Sequence, residues 1–198
     1  MSGGQIFNTL VEFFEEDEWD FHWMEGLPVL SMGFAGRSGR WVCYAQARES
    51  QEQFVFYSVC PMNAPEDRRS AVAEFITRAN YGMIIGNFEL DYNDGEIRYK
   101  TSIDVEGDTL TTPLIKQCVY ANIVVMDRYL PGIMRVIYGA SEPLEEIGKI
   151  EGEPGDTKPK PSDSDLDYED DPDTDDSPDF DEDDLDDDYP TNGTHNNN

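Results

Sequence analysis

A chain of 198 residues with 43 Asp and Glu against 14 Lys and Arg carries a formal charge of −29. That is too large for one ordinary folded domain, and it has the wrong sign for a sequence-independent grip on nucleic acid, which draws its affinity from cations that release counterions. The excess is uneven: residues 1–150 hold 23 acids and 12 bases, whereas residues 151–198 hold 20 acids and 2 bases. This partition predicts one folded domain over 1–150, large enough to bury a core without disulfides or metals, followed by an acidic tail over 151–198.

In chain order, Ile6, Leu10 and Phe13 mark helical steps, with Phe7 and Phe14 beside them and Asn8, Glu12, Glu15 and Glu16 opposite, which predicts an amphipathic helix over 5–16. The segment Asp17-Glu18-Trp19-Asp20-Phe21-His22-Trp23 alternates acids and aromatics. It reads either as a short extended or irregular stretch whose rings cover a core edge, or as an exposed aromatic patch. Three strands follow, joined by turns at Gly36-Arg37-Ser38-Gly39 and Glu49-Ser50-Gln51-Glu52 that pair Phe34 with Trp41 and Ala47 with Phe54. In that register one face carries Leu30, Met32, Phe34, Trp41, Cys43, Ala45, Ala47, Phe54, Phe56 and Cys60. Small residues on the middle strand flanked by large ones suit a helix laid across the centre. The other face, with Ser31, Gly33, Ala35, Val42, Tyr44, Gln46, Arg48, Val55, Tyr57 and Val59, is mixed and fits either water or a partner.

Asn63-Ala64-Pro65-Glu66-Asp67 opens a second helix with a proline and two acids in its first turn. Val72, Phe75, Ile76 and Ala79 continue its apolar stripe, and Asn80-Tyr81-Gly82 closes it on a glycine free to turn left-handed. A second hairpin then runs through Phe88-Glu89-Leu90-Asp91-Tyr92 and Ile97-Arg98-Tyr99-Lys100. A two-residue Asp94-Gly95 turn sets Asp91 opposite Arg98 and Glu89 opposite Lys100, marking that face as outward. Thr111-Thr112-Pro113 starts a long helix with Ile115, Val119, Asn122, Met126, Leu130 and Ile133 along one side. Pro131-Gly132 is expected to break or kink it, and Pro143-Leu144-Glu145-Glu146-Ile147 adds a final turn. The order helix, three strands, helix, two strands, long helix predicts an α+β domain with an antiparallel sheet of about five strands and helices mainly on one face.

Between residues 163 and 188 the tail has 17 acids in 26 residues and no base. Such a segment cannot bury enough apolar surface to offset its ordering entropy and is expected to be disordered. Leu166, Tyr168, Phe180, Leu185 and Tyr189 punctuate it, a composition that suits either a solvated bristle or capture of basic proteins.

Motifs for phosphate cradling, zinc proteolysis or a serine nucleophile elbow are absent, and the domain has one histidine, His22. No enzyme activity, cofactor or metal is expected. Cys43, Cys60 and Cys118 lie in apolar runs without CxxC spacing and read as reduced core thiols, which fits a cytoplasmic protein. No leader sequence is visible, and the longest apolar stretch, 115–134, is interrupted by charges, so no membrane span is expected.

The stretches Arg68-Arg69-Ser70-Ala71-Val72-Ala73-Glu74-Phe75, Arg78-Ala79-Asn80-Tyr81, Gly86-Asn87-Phe88-Glu89-Leu90, Asp94-Gly95-Glu96-Ile97-Arg98-Tyr99 and Tyr129-Leu130-Pro131-Gly132 resemble the YbjN family of small bacterial proteins, in particular its cyanobacterial versions. The resemblance spans about residues 6–148. It implies a fold like that of type III secretion chaperones and a non-enzymatic, protein-binding role of sensory or regulatory kind, with no catalytic residues to carry over. The expected function is a protein-binding adaptor or chaperone-like regulator, and the alternative is a nucleic-acid mimic or histone-chaperone-like protein whose tail captures basic proteins. The expected binding surface is the outward sheet face, with Tyr44, Gln46, Arg48, Tyr57, Glu89, Asp91, Arg98 and Lys100. The long helix is the expected seam of a homodimer, with Asn122 fixing its register.

Overall fold

The structure is a computed structural model and describes residues 4–152. The expected tail lies, from residue 153 onward, outside the described residues. Helix α1 spans Gln5–Glu16, and strands β1 (Phe21–Trp23), β2 (Val29–Ala35), β3 (Arg40–Arg48) and β4 (Gln53–Val59) follow it. Helix α2 (Arg69–Asn80) precedes β5 (Asn87–Leu90) and β6 (Ile97–Asp104), and α3 (Thr112–Ile137) and α4 (Pro143–Glu151) close the fold.

The six strands form one antiparallel sheet in the order β1-β2-β3-β4-β6-β5. The extra strand relative to expectation is β1, the extended part of the acid and aromatic segment. It pairs Phe21 with Met32 and Trp23 with Leu30, which places both rings on the core side of the sheet. Rings of this segment cover the core edge: Trp19, just before the strand, stacks on Phe34 with centroids 5.6 Å apart, and Trp23 of β1 tilts against Phe7 at 4.8 Å.

The first two hairpins keep the expected register, Phe34 with Trp41 and Ala47 with Phe54. Leu30, Met32, Trp41, Cys43, Ala45, Ala47, Phe54 and Phe56 are buried on the inner face. The small residues of β3 leave room for α1, which packs on that strand, while α3 lies over β4 and β6. Helices α2 and α4 pack against α3 and against each other, and α2 also meets β5.

The second hairpin departs from expectation by two residues. Glu89 pairs with Arg98, Phe88 with Tyr99 and Leu90 with Ile97, so Asp91 does not face Arg98. Aspartates decide this: Asp91 Oδ1 accepts from the Asn93 backbone N–H, and Asp94 Oδ1 accepts from the Glu96 N–H, closing a longer loop than the two-residue turn. The loop is also docked, with the Ala64 N–H bonded to the Gly95 carbonyl at 2.8 Å. Gly95 has φ +83°, and a Cβ there would overlap the Ala64 carbonyl oxygen, so only glycine fits.

Three further expectations change. Helix α2 ends with Tyr81 in right-handed geometry, and the left-handed glycine is Gly86 (φ 78°), not Gly82. Helix α3 runs unbroken through Pro131. The missing donor falls on the exposed side, while Gly132 faces inward where a Cβ would stand 2.8 Å from Ile150 and 3.0 Å from Phe75. Asn122 is no dimer register device: it is 0% exposed, and its Nδ2 donates to the carbonyls of Phe56 and Tyr99, both at 3.1 Å, and to Thr101 Oγ1 at 3.2 Å. The residue ties α3 to the sheet.

Candidate protein-binding surface

Alternation along antiparallel strands sends every second side chain to the face away from the helices, and the registers align these residues into rows across the sheet. One row reads His22, Ser31, Tyr44, Tyr57, Lys100 and Asn87. The adjacent row reads Gly33, Val42, Val59, Arg98 and Glu89, and on the other side lie Val29, Gln46, Val55 and Ser102. Seven of the eight expected site residues therefore share this face. Asp91 does not: it sits beyond β5, in the loop, with its carboxylate turned to Asn93.

The β4, β6 and β5 portion is electrostatically organised. Arg98 Nε donates to Glu89 Oε2 at 2.7 Å, Lys100 pairs with Glu89 Oε1, and Glu96 stands 3.7 Å from Arg98. The Arg98 guanidinium also covers the Tyr57 ring at 4.5 Å from its centroid, a cation–π contact that orients both groups. Partial burial by itself would raise the Glu89 carboxyl, but the bonds from Lys100 and Arg98 outweigh it and hold the group below its usual range. Farther along, Asp104 accepts from Gln53 Nε2 at 2.8 Å, and Arg48, which pairs with Gln53 from the other side, is exposed.

Strand alternation also places an aliphatic part on this face, beside the polar and aromatic residues of the expected site. Val42 is 45% exposed in the middle of the sheet, with half-buried Val59 next to it. Arg40 at the start of β3 belongs to the same face and is exposed.

The thiols face the other way. Burial pushes Cys43 and Cys60 up to about 11, so neither is a thiolate at neutral pH, and Cys118 is also raised by burial. His22 is exposed on the edge strand β1. Among the described residues no group of three or more His, Cys, Asp or Glu is placed to hold a metal ion, and no helix is long and apolar enough to cross a membrane.

Residues 8–134 match the family model YbjN, described as "Putative bacterial sensory transduction regulator". The chain belongs to the YbjN family. The matched span takes in the whole sheet, most of α1, all of α2, and α3 up to its last turn. Among solved structures the chain is similar to the crystal structure of YbjN from E. coli, at 12% identity and a TM-score of 0.47, over 68% of this chain and 89% of that one. It is also similar to the structure of the HopA1-SchA chaperone-effector complex, at 14% identity and a TM-score of 0.41, over 63% of this chain and 92% of that one. No curated protein matches the sequence. The outer-face rows of this YbjN domain all fall within the matched residues.

Proposed function

We propose that this YbjN-family chain is a non-enzymatic protein-binding adaptor or chaperone-like regulator of the cytoplasm, and that the outer sheet face is its binding surface. One observation carries the reading: four helices gather on one side of a six-stranded sheet, leaving the opposite face with Tyr44, Tyr57, Val42, Arg98 and Lys100 uncovered by any described element. A mix of aromatic, aliphatic and arginine side chains on a rigid sheet is the composition that protein interfaces favour. Among the described residues the thiols are buried and His22, the one histidine there, is exposed on β1, so no cysteine and histidine are paired as nucleophile and base.

A second reading rests on the charge of the segment after residue 150, where 20 acids meet 2 bases: this segment captures basic proteins. Both readings treat residues 1–150 as the folded domain. Affinity capture from the native host with three chains separates them: the full chain, the full chain with Tyr44→Ala and Tyr57→Ala, and the chain ending at residue 152. The proposal expects the partner to be lost with the tyrosine variant and kept by the shortened chain. Loss with the shortened chain alone, reversed by salt, assigns binding to the acidic segment. A circular dichroism melt within about 4 °C of the parent, the effect of roughly 1 kcal/mol at this size, shows that the tyrosine variant is folded.

A further inference from the structure

The sign of the charge on the outer face differs from that of the rest of the domain. Residues 1–150 contain 23 acids and 12 bases, yet the outward strand positions carry four bases (Arg40, Arg48, Arg98 and Lys100) and two acids (Glu89 and Asp104). Adding Glu96, which flanks β6 beside Arg98, still leaves bases in excess. The acids that are present are occupied: Glu89 by Arg98 and Lys100, Asp104 by Gln53 Nε2 and the Glu106 N–H at 2.9 Å. Arg40 and Arg48 have no ion-pair partner among the described residues.

From this we infer that the partner lies on the face as an extended acidic peptide segment, and that Glu89 is the internal carboxylate it displaces. The inference rests on the proposed function and names the chemistry of its partner. Strands about 4.8 Å apart place Tyr44, Tyr57 and Lys100 on a line of about 10 Å, the length of roughly three extended residues. An apolar side chain on Tyr44 and Tyr57 thus brings a carboxylate two or three residues further along to Lys100 and Arg98. Glu89 already shows the bonds such a carboxylate would accept, one from the Arg98 fork and one from the Lys100 ammonium. Complementary charge of this kind favours encounter and selects among partners.

The test uses the full chain and fluorescence anisotropy with three labelled probes. The first is a peptide of about twelve residues, ~40 Å when extended, alternating Glu with Val and Tyr. The second replaces every Glu with Lys, and the third is a single-stranded oligouridine of similar length. The acidic peptide is expected to bind and to weaken with salt. Arg48→Ala combined with Lys100→Ala lowers its affinity about tenfold, and Glu89→Gln raises it about threefold, a gain that a misfolded variant cannot produce. No binding of the acidic peptide, an equal affinity for the lysine peptide, indifference to both sets of substitutions, or tighter binding of oligouridine overturns the inference. If the lysine peptide binds and Tyr44→Ala with Tyr57→Ala abolishes it, the face remains a protein site and only its acidic preference falls. If the tyrosine variant leaves every interaction unchanged, the proposed binding face falls with it.

Discussion

Asn122 lies on one helical stripe with Cys118 and Met126, and periodicity alone says only that this stripe faces something. In the fold that something is the sheet. The Asn122 amide supplies donors to two main-chain carbonyls on β4 and β6, and Thr101 Oγ1, which accepts from it, donates onward to the Cys118 carbonyl at 3.0 Å. Asn122→Ala removes those donors while leaving the carbonyls buried, and is expected to cost about 2 kcal/mol. In a thermal melt this is a fall in Tm of roughly 4–8 °C. Asn122→Asp costs more, because a carboxylate placed against two carbonyls must also be desolvated. An unchanged Tm for both variants contradicts the tethering role. The same contrast between residue type and surroundings holds at Gly95: the Asp-Gly pair advertises a turn, but the Ala64 carbonyl, distant in sequence, decides that only glycine fits there.

Among the elements, the strands were the most legible part and the helix ends the least. Phe34 opposite Trp41 and Ala47 opposite Phe54 follow from alternation and short turns, and both hold. The β5–β6 hairpin slipped by two residues, an even number, so the outward face keeps its residues and the expected Glu89–Lys100 ion pair forms on the diagonal, but Glu89, not Asp91, also meets Arg98. The N-terminus of α1 has no capping side chain of its own. Its Phe7 and Ile6 N–H groups donate to the Glu49 carboxylate at 2.8 and 3.3 Å, a cap brought from the β3–β4 connection that no local pattern could announce. Asn80 does something similar for the edge strand β5. Its Nδ2 donates to the Phe88 carbonyl at 3.0 Å and its Oδ1 accepts from the Phe88 N–H at 2.8 Å, so the amide occupies backbone groups that a further strand would use. Asn80→Ala is expected to cost about 1–2 kcal/mol. It should also open the edge, so that sedimentation velocity shows concentration-dependent association beyond that of the parent chain. A variant no more prone to associate than the parent contradicts this edge protection.

At the scale of the whole molecule the charge has two opposing effects on stability. Asp17, Glu89 and Glu146 sit below their ordinary carboxyl range. In each, burial by itself raises the group, and partners outweigh it: Trp19, Tyr120 and Lys116 for Asp17, Lys100 and Arg98 for Glu89, Lys149 for Glu146. A carboxyl depressed in the fold contributes stability that is complete above its unfolded value near 4 and is lost as pH falls through the lower folded value. Protonating the remaining surface acids relieves self-repulsion and acts in the opposite direction. The comparison that isolates the first effect is therefore between chains. Glu146, 4% exposed and 2.8 Å from Lys149, is the best placed, and Glu146→Gln should melt lower at pH 7 while losing less than the parent between pH 6 and 3. Parallel melting curves across that range would remove Glu146 from the account. Alternation and composition by themselves determined which residues lie on each side of the sheet, that helices pack on its apolar side, and that most of the excess acid lies in the last quarter of the chain, because each depends on local spacing or on counting. Which carboxylate meets Arg98, what covers Asn122, what caps α1 and where bases outnumber acids were decided only in three dimensions. Those features depend on contacts between residues 9 to 66 positions apart, which local periodicity does not encode.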